Sequence, residues 1–152
     1  MPPGGALRWL GSMAELRTDR LTLRRWQDSD LEPWAVEVRA TGEFIGFAGL
    51  DQVEDDMPFT GVETGWRLAR SAWGQGYATE AARTVLAHGF DALELPEILA
   101  VTTATNLRSQ AVMRRLGMTR DPADDFDDPT APEGPLRPNV LYRIAGRTTP
   151  RR

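Results

Sequence analysis

The sequence predicts an α/β (α+β) domain built on one mixed β-sheet. Three observations carry that expectation. Segments of two-residue apolar alternation fill the first half of the chain. A small-residue face with helical spacing follows them. A β-branched run, a short capped helix and a last apolar segment then complete an order of strands first, then strand-helix-strand-helix-strand. At 152 residues the chain has the size of one domain, large enough to bury a single core.

Taken in order, Leu21-Thr22-Leu23-Arg24-Arg25-Trp26 alternates apolar and polar side chains and predicts a half-buried strand, with Asp28-Ser29-Asp30 as a turn or helix-cap cluster. Residues 34–38 and 44–50 flank Ala40-Thr41-Gly42-Glu43 and read as a β-hairpin, with Gly42 available for a positive φ. A strand over residues 62–68 follows an acidic loop. From Tyr77 the period changes: Ala78, Ala81, Ala82, Val85 and Gly89 fall on one face of a helix that can approach a sheet closely, and Pro96 is expected to stop it. Residues 98–103 (ILAVTT) suit a central strand. Asn106 is a good N-cap for a short helix to Leu116, closed by Gly117. Residues 121–138, rich in Asp and Pro, read as loop, and 139–144 (NVLYRI) as the last strand. Residues 1–13 read as a disordered leader, 14–146 as the domain and 147–152 as a disordered tail. Met13 offers a second start, and an ordinary flexible terminus explains the leader equally well.

Composition removes several classes of function. The net charge of -4 argues against a nucleic-acid partner, which draws its affinity from clustered positive charge, and favours a cationic or amine-bearing one. No apolar run is long enough to span a bilayer. With no cysteine and a single histidine, His88, the chain lacks disulfides, thiol nucleophiles, zinc clusters and the Ser-His-Asp triad. All 18 basic residues are arginine, which rules out a Walker-A or Schiff-base lysine. Cytoplasmic localisation is the expectation.

The most informative stretch runs from Trp66 to Ala81, where a strand ends, Gly74-Gln75-Gly76 turns, and a helix starts at once. Glycines let backbone N–H groups approach phosphate oxygens, and a helix N-terminus adds a favourable dipole. Alone, the turn reads equally well as a tight connector, and Thr79 stands where a dinucleotide fingerprint has its third glycine. The longer context resembles motif A of the GNAT acetyltransferases, in particular the RimJ/RimL-type branch, with its E-x-G-W/Y-x-L and W-G-x-G-Y-A-T-E-A. The matching residues are Glu63, Gly65, Trp66, Leu68, Trp73, Gly74, Gly76, Tyr77, Ala78, Thr79, Glu80 and Ala81. Downstream, Asn106-Leu107-Arg108-Ser109 and Leu116-Gly117-Met118 resemble the family's N-x-x-S helix and its end, and residues 16–24 resemble its opening strand.

The resemblance implies a sheet splayed between the strands of residues 62–68 and 98–103, with acetyl-CoA in the gap. Its pantetheine would bond backbone groups near Leu68 and Ala69, and its pyrophosphate the amides of Gly74, Gln75, Gly76, Tyr77, Ala78 and Thr79. Asn106 would hold the pantetheine arm. Ser109, one helical turn later, would protonate the leaving thiolate; otherwise it is an ordinary helix serine. Amine acetylation needs a base, and Glu63 on the bordering strand is the candidate, the alternative being an exposed glutamate in a salt bridge. Tyr142 is a second candidate acid, better read as a core tyrosine, and His88 reads as a surface residue.

Two features depart from the family pattern. Ser71 or Trp73 stands where many members place an Arg or Gln before the glycine turn, which removes one phosphate contact. Only residues 27–33 join the first two strands, where the family normally places two helices that wall the acceptor pocket. Their absence predicts weakened acceptor turnover and an exposed apolar face for self-association, with a homodimer as one outcome. The leading function is therefore an acetyl-CoA-dependent N-acetyltransferase acting on a primary amine, with a protein N-terminal α-amine as one acceptor class. The alternatives are a non-catalytic acyl-CoA-binding module and a small-amine or antibiotic acetyltransferase. The acidic stretches at 51–56 and 124–128 could draw a cationic acceptor or serve only as solvated loop charge.

Overall fold

The computed structural model describes residues 15–25 and 33–146. The leader, the Asp28-Ser29-Asp30 turn, Trp26, the 27–32 stretch of the short connection and the 147–152 tail lie outside the described residues. Among the described residues one mixed sheet carries β1 (Glu15–Arg17), β2 (Leu21–Arg25), β3 (Trp34–Val38), β4 (Phe44–Gln52), β5 (Val62–Leu68), β6 (Glu97–Thr103), β7 (Thr119–Arg120), β8 (Phe126–Asp127) and β9 (Pro138–Ala145). The sheet runs β1-β2-β3-β4-β5-β6-β9-β7, with β8 also paired to β9. Helices α1 (Tyr77–Asp91) and α2 (Leu107–Arg115) flank it. This is the mixed α/β architecture that the sequence predicts.

The core lies between α1 and the sheet. Ala81, Ala82 and Val85 on the small-residue face of α1 are buried with Leu21, Leu23, Leu50, Ile98 and Ala100 from the strands. Small side chains on that face let the helix axis approach the sheet, and each apolar group removed from water adds to the driving force at about 25 cal/mol per Å². The hairpin of β3 and β4 turns where expected, and Gly42 has a φ of 73°. Here β4 carries an extra residue, because Val36 pairs with Gly46 and Glu37 with Phe44, leaving Ile45 as a bulge. The bulge brings the β4 main chain against β5 so closely that a Cβ on Gly46 would stand 2.1 Å from the Arg67 carbonyl oxygen.

Several expectations need correction. The opening segment is a hairpin of two strands. Thr18 turns the chain, its N–H donating to the Leu21 carbonyl at 2.9 Å and its hydroxyl accepting from the Leu21 N–H at 2.9 Å. Thr22 is buried along with its apolar neighbours, because β2 is an inner strand between β1 and β3. Helix α1 ends at Asp91, well before Pro96: the His88 carbonyl accepts from the Ala92 and Leu93 N–H groups, the Gly89 carbonyl from the Leu95 N–H, and Glu94 turns to a φ of 53°. Residues 121–138 contain a short 3₁₀ turn (Pro122–Asp124) and β8, held by an Arg143–Asp124 ion pair and by Phe126 against Phe59, with ring centroids 5.2 Å apart. His88 is buried, not a surface residue, and stands edge-on to Trp34 at 5.2 Å.

Candidate active site

Two outer neighbours pull the centre of the sheet apart. Strand β5 is paired with β4 along its whole length, from Gln52↔Val62 to Gly46↔Leu68, and β6 with β9 from Glu97↔Ala145 to Thr103↔Asn139. Between β5 and β6 the parallel ladder has one register pair, Glu63↔Leu99. Beyond that point the two strands diverge, and the splay expected between them is present. An unpaired strand edge buried in a cleft carries main-chain donors and acceptors that need a partner, which suits it to an amide-rich ligand.

One face of the splay opens into a cleft of about 1510 Å³. Leu68, Gly74, Gly76, Tyr77, Ala78, Thr79, Asn106 and Ser109 line it. Ala69 and Gln75 are not among its lining residues. The Ala69 N–H donates to the Ile45 carbonyl at 2.7 Å and its carbonyl accepts from the Ala72 N–H at 2.8 Å, while the Gln75 carbonyl accepts from Arg20 Nη1 at 2.8 Å.

The turn that enters α1 has Gly74 at φ 79° and Gly76 at φ 78°, left-handed values that a side chain would strain. Gly76 is the N-cap, and no side chain caps the first turn. Among the described residues, no carbonyl accepts from the N–H groups of residues 74–79. Those donors sit at the positive end of a 15-residue helix. A Cβ on Gly74 would meet none of the described residues within 4 Å, which leaves the approach open among them. A diphosphate fits this set of donors, and a coenzyme A fits the cleft that continues from it. Trp73 also lines the cleft and braces the turn: its indole N–H donates to the Leu68 carbonyl at 3.0 Å, and Arg70 and Arg108 lie over its ring at 5.3 and 4.4 Å. On the facing helix, the Asn106 side-chain oxygen accepts from the Ser109 N–H at 3.0 Å, which leaves the Asn106 amide N–H₂ to offer a ligand.

The second cleft, of about 330 Å³, contains Glu63 together with Pro33, Phe47 and Asp51. Thr64, Gly65, Trp66, Arg67 and Val101 line both clefts, so the two meet at the splay. Burial pushes the Glu63 carboxyl above its ordinary value, and the nearby charges of Asp51 and Glu54 push it further. A carboxylate raised toward neutrality accepts a proton more readily, as a general base requires. No ion pair of Glu63 occurs among the described residues. Tyr142 belongs to the core: it is buried, and its hydroxyl donates to the Gln110 side-chain oxygen at 3.1 Å.

Sequence reasoning missed the arginines. Arg20, Arg67, Arg83, Arg108 and Arg115 line the large cleft although the chain is acidic overall. Arg20 arrives from the β1–β2 turn, far away in sequence, and no local pattern announces it. The one available signal was Glu80, an acidic residue in the first turn of the helix that the glycine turn opens.

Residues 6–119 match the family described as Acetyltransferase (GNAT) domain. This chain belongs to the GNAT acetyltransferase family. Its relatives include the FsC-acetyl coenzyme A-N(2)-transacetylase of Aspergillus fumigatus, 34% identical over 110 residues that make up 69% of this chain and 47% of that protein. The chain spans about half the length of the curated relatives it matches. Among solved structures, an acetyltransferase from Agrobacterium tumefaciens superposes with a TM-score of 0.68 at 26% identity, over 88% of this chain and 95% of that one. The structure of Mycobacterium smegmatis RimJ in complex with CoA-disulfide gives 0.63 at 27% identity, over 76% and 53%.

Proposed function

We propose that this chain is an acetyl-CoA-dependent N-acetyltransferase of the RimJ/RimL-type branch that acetylates a primary amine, with a protein N-terminal α-amine as the leading acceptor class. The observation that carries the reading is the meeting of two clefts across the edge of β5: one with free amides at a glycine turn, the other with a carboxyl of raised pKa. Acetyl-CoA would supply an acyl group activated as a thioester. The amides of residues 74–79 hold the diphosphate, Asn106 the pantetheine arm, and the main-chain edge of β5 that β6 leaves unpaired aligns the rest, the Leu68 carbonyl itself being taken by the Trp73 indole. Glu63 takes the proton that an ammonium acceptor must lose before its nitrogen can attack. Ser109 carries a hydroxyl proton on the opposite wall, available to a departing thiolate. The acceptor enters past Asp51 and Glu63, which favour a positive charge.

The likeness to RimJ supports the branch. The Aspergillus relative, by its name, acts on FsC, so a small amine stands as the second reading. Mass spectrometry of products from a library of N-terminal peptides and small amines, incubated with acetyl-CoA, separates the two. Acetylated peptides support the first reading and acetylated small amines the second. Coenzyme A binding by calorimetry without any acetylated product would reduce the chain to a binding module.

A further inference from the structure

An acidic side chain in the first turn of a helix is drawn to the same N–H groups that an anionic ligand would occupy. Glu80 is in that position on α1, yet among the described residues no side chain, its carboxylate included, caps the first turn. Both of its oxygens are taken by the β1–β2 turn. The Thr18 hydroxyl and the Arg20 N–H, the latter at 3.0 Å, donate to one oxygen, and Arg20 Nε donates to the other at 2.7 Å. The same guanidinium reaches further: Nη1 donates to the Gln75 carbonyl at 2.8 Å, and the group lies 4.6 Å from the centroid of the Tyr77 ring.

The contact with Gln75 matters because a trans peptide is planar, so the Gln75 carbonyl and the Gly76 N–H point in opposite directions. Pinning the carbonyl fixes the direction of that N–H. Arg20 also places a positive charge beside the anion-receptive turn, where Glu80 alone would repel a diphosphate. Burial pushes the Glu80 carboxyl up, but the hydrogen bonds from Thr18 and Arg20 and the Arg20 charge outweigh it and keep the carboxyl below its ordinary value. Released from those bonds, the carboxyl would return toward its ordinary value of 4.5 and would still be an anion at neutral pH.

We propose that Arg20, assisted by Thr18, is a positioning residue for the diphosphate of the acyl donor: it holds the Glu80 carboxylate off the helix N-terminus and fixes the Gly74–Gly76 turn with its amides free. The inference rests on the reading that coenzyme A binds on this turn. It separates the two ends of the donor, since only the diphosphate end depends on Arg20. In Arg20→Ala, coenzyme A affinity measured by calorimetry falls roughly 10- to 100-fold, the range expected for losing charge-assisted hydrogen bonds. The preference in kcat/KM for acetyl-CoA over acetyl-pantetheine, which has no diphosphate, falls in parallel.

The signature that a merely structural role would not produce is a change of sign. Glu80→Gln weakens coenzyme A binding or leaves it unaltered when Arg20 is present, but strengthens it in the Arg20→Ala background, where the loose carboxylate is the competitor. Equal affinity of wild type and Arg20→Ala, equal loss for acetyl-CoA and acetyl-pantetheine, or the same sign for Glu80→Gln in both backgrounds would overturn the proposal. If Arg20→Ala does not fold, Arg20→Lys takes its place, since a lysine keeps the charge but cannot bond Glu80 and Gln75 together. A wild-type protein that does not bind coenzyme A would overturn the underlying reading instead, which keeps the two failures distinct.

Discussion

The two clefts that share the edge of β5 are made of different materials. The larger takes its binding groups mostly from the main chain: N–H groups of residues 74–79, the open edge of β5, and a helix dipole. The smaller is shaped by side chains, with Glu63 and Asp51 brought to face one another by the β4–β5 ladder. Main-chain groups cannot be mutated away, so the donor side depends on backbone conformation and on whatever holds it. The acceptor side depends on the ionisation of one carboxyl. Substitutions should therefore separate affinity for the donor from turnover of the acceptor.

The largest separation is expected from Glu63→Gln. Loss of a general base costs about 10²- to 10⁴-fold in rate. Coenzyme A affinity by calorimetry should not change, because Glu63 lines only the smaller cleft. In wild type, kcat/KM should rise with pH through an inflection above the ordinary carboxylate range, since burial and the Asp51 and Glu54 charges raise this group and the base must be ionised. The variant should lack that limb. A Glu63→Gln protein that turns over at the wild-type rate would remove the distinction between the clefts.

Gly46→Ala tests the wall that both clefts share. Its φ of 147° and the 2.1 Å approach of a Cβ to the Arg67 carbonyl leave no room for a side chain, and main chain rather than a flexible group would have to move. A loss of about 3 kcal/mol or more in urea unfolding is expected, with both donor binding and turnover impaired in whatever protein folds. Gly76→Ala should act on one side only. It strains a φ of 78° by roughly 1–2 kcal/mol and puts a methyl 3.4 Å from Arg20 Nη2, so coenzyme A affinity should fall while the acceptor KM stays unchanged.

The same division explains what could be read in advance. The donor turn was legible because its chemistry is contiguous: strand end, two glycines and helix start lie in one stretch, and the αL conformations follow from the residue types. The N-cap at Asn106 was legible for the same local reason, and its side chain does accept from the Ser109 N–H. Arg20 was not legible, since its partner Glu80 is 60 residues away and only tertiary folding joins them. The β1–β2 hairpin stayed hidden because the Thr18 hydroxyl makes a turn without glycine or proline. His88 was misread because a polar residue on a helix is usually exposed, whereas here Trp34 of β3 covers it edge-on. The weak pairing in residues 121–138 was masked by a loop-like composition, and only the contact of Phe126 with Phe59 shows why that segment is fixed.

The smallest effect is a pH dependence of stability in which the two regions oppose each other. Burial lowers the pKa of His88 from its ordinary 6.5, and the charge of Arg25 lowers it further. Below the ordinary value the unfolded chain binds the proton first, so stability is fully present above pH 6.5 and declines as the pH falls toward the lowered value. Glu63 has the reverse sign. Its pKa is raised from 4.5, so as the pH climbs past that value the unfolded chain ionises first, and stability declines until the raised pKa is passed. In urea unfolding across the acid range, His88→Phe keeps the packing against Trp34, removes a buried ring nitrogen that has no hydrogen-bond partner among the described residues, and should flatten the decline below pH 6.5. Glu63→Gln should instead raise stability near neutral pH by removing the decline that begins at pH 4.5, while the His88 contribution stays in place. A single variant that moved both limbs would mean that the core around His88 and the acceptor cleft are not independent.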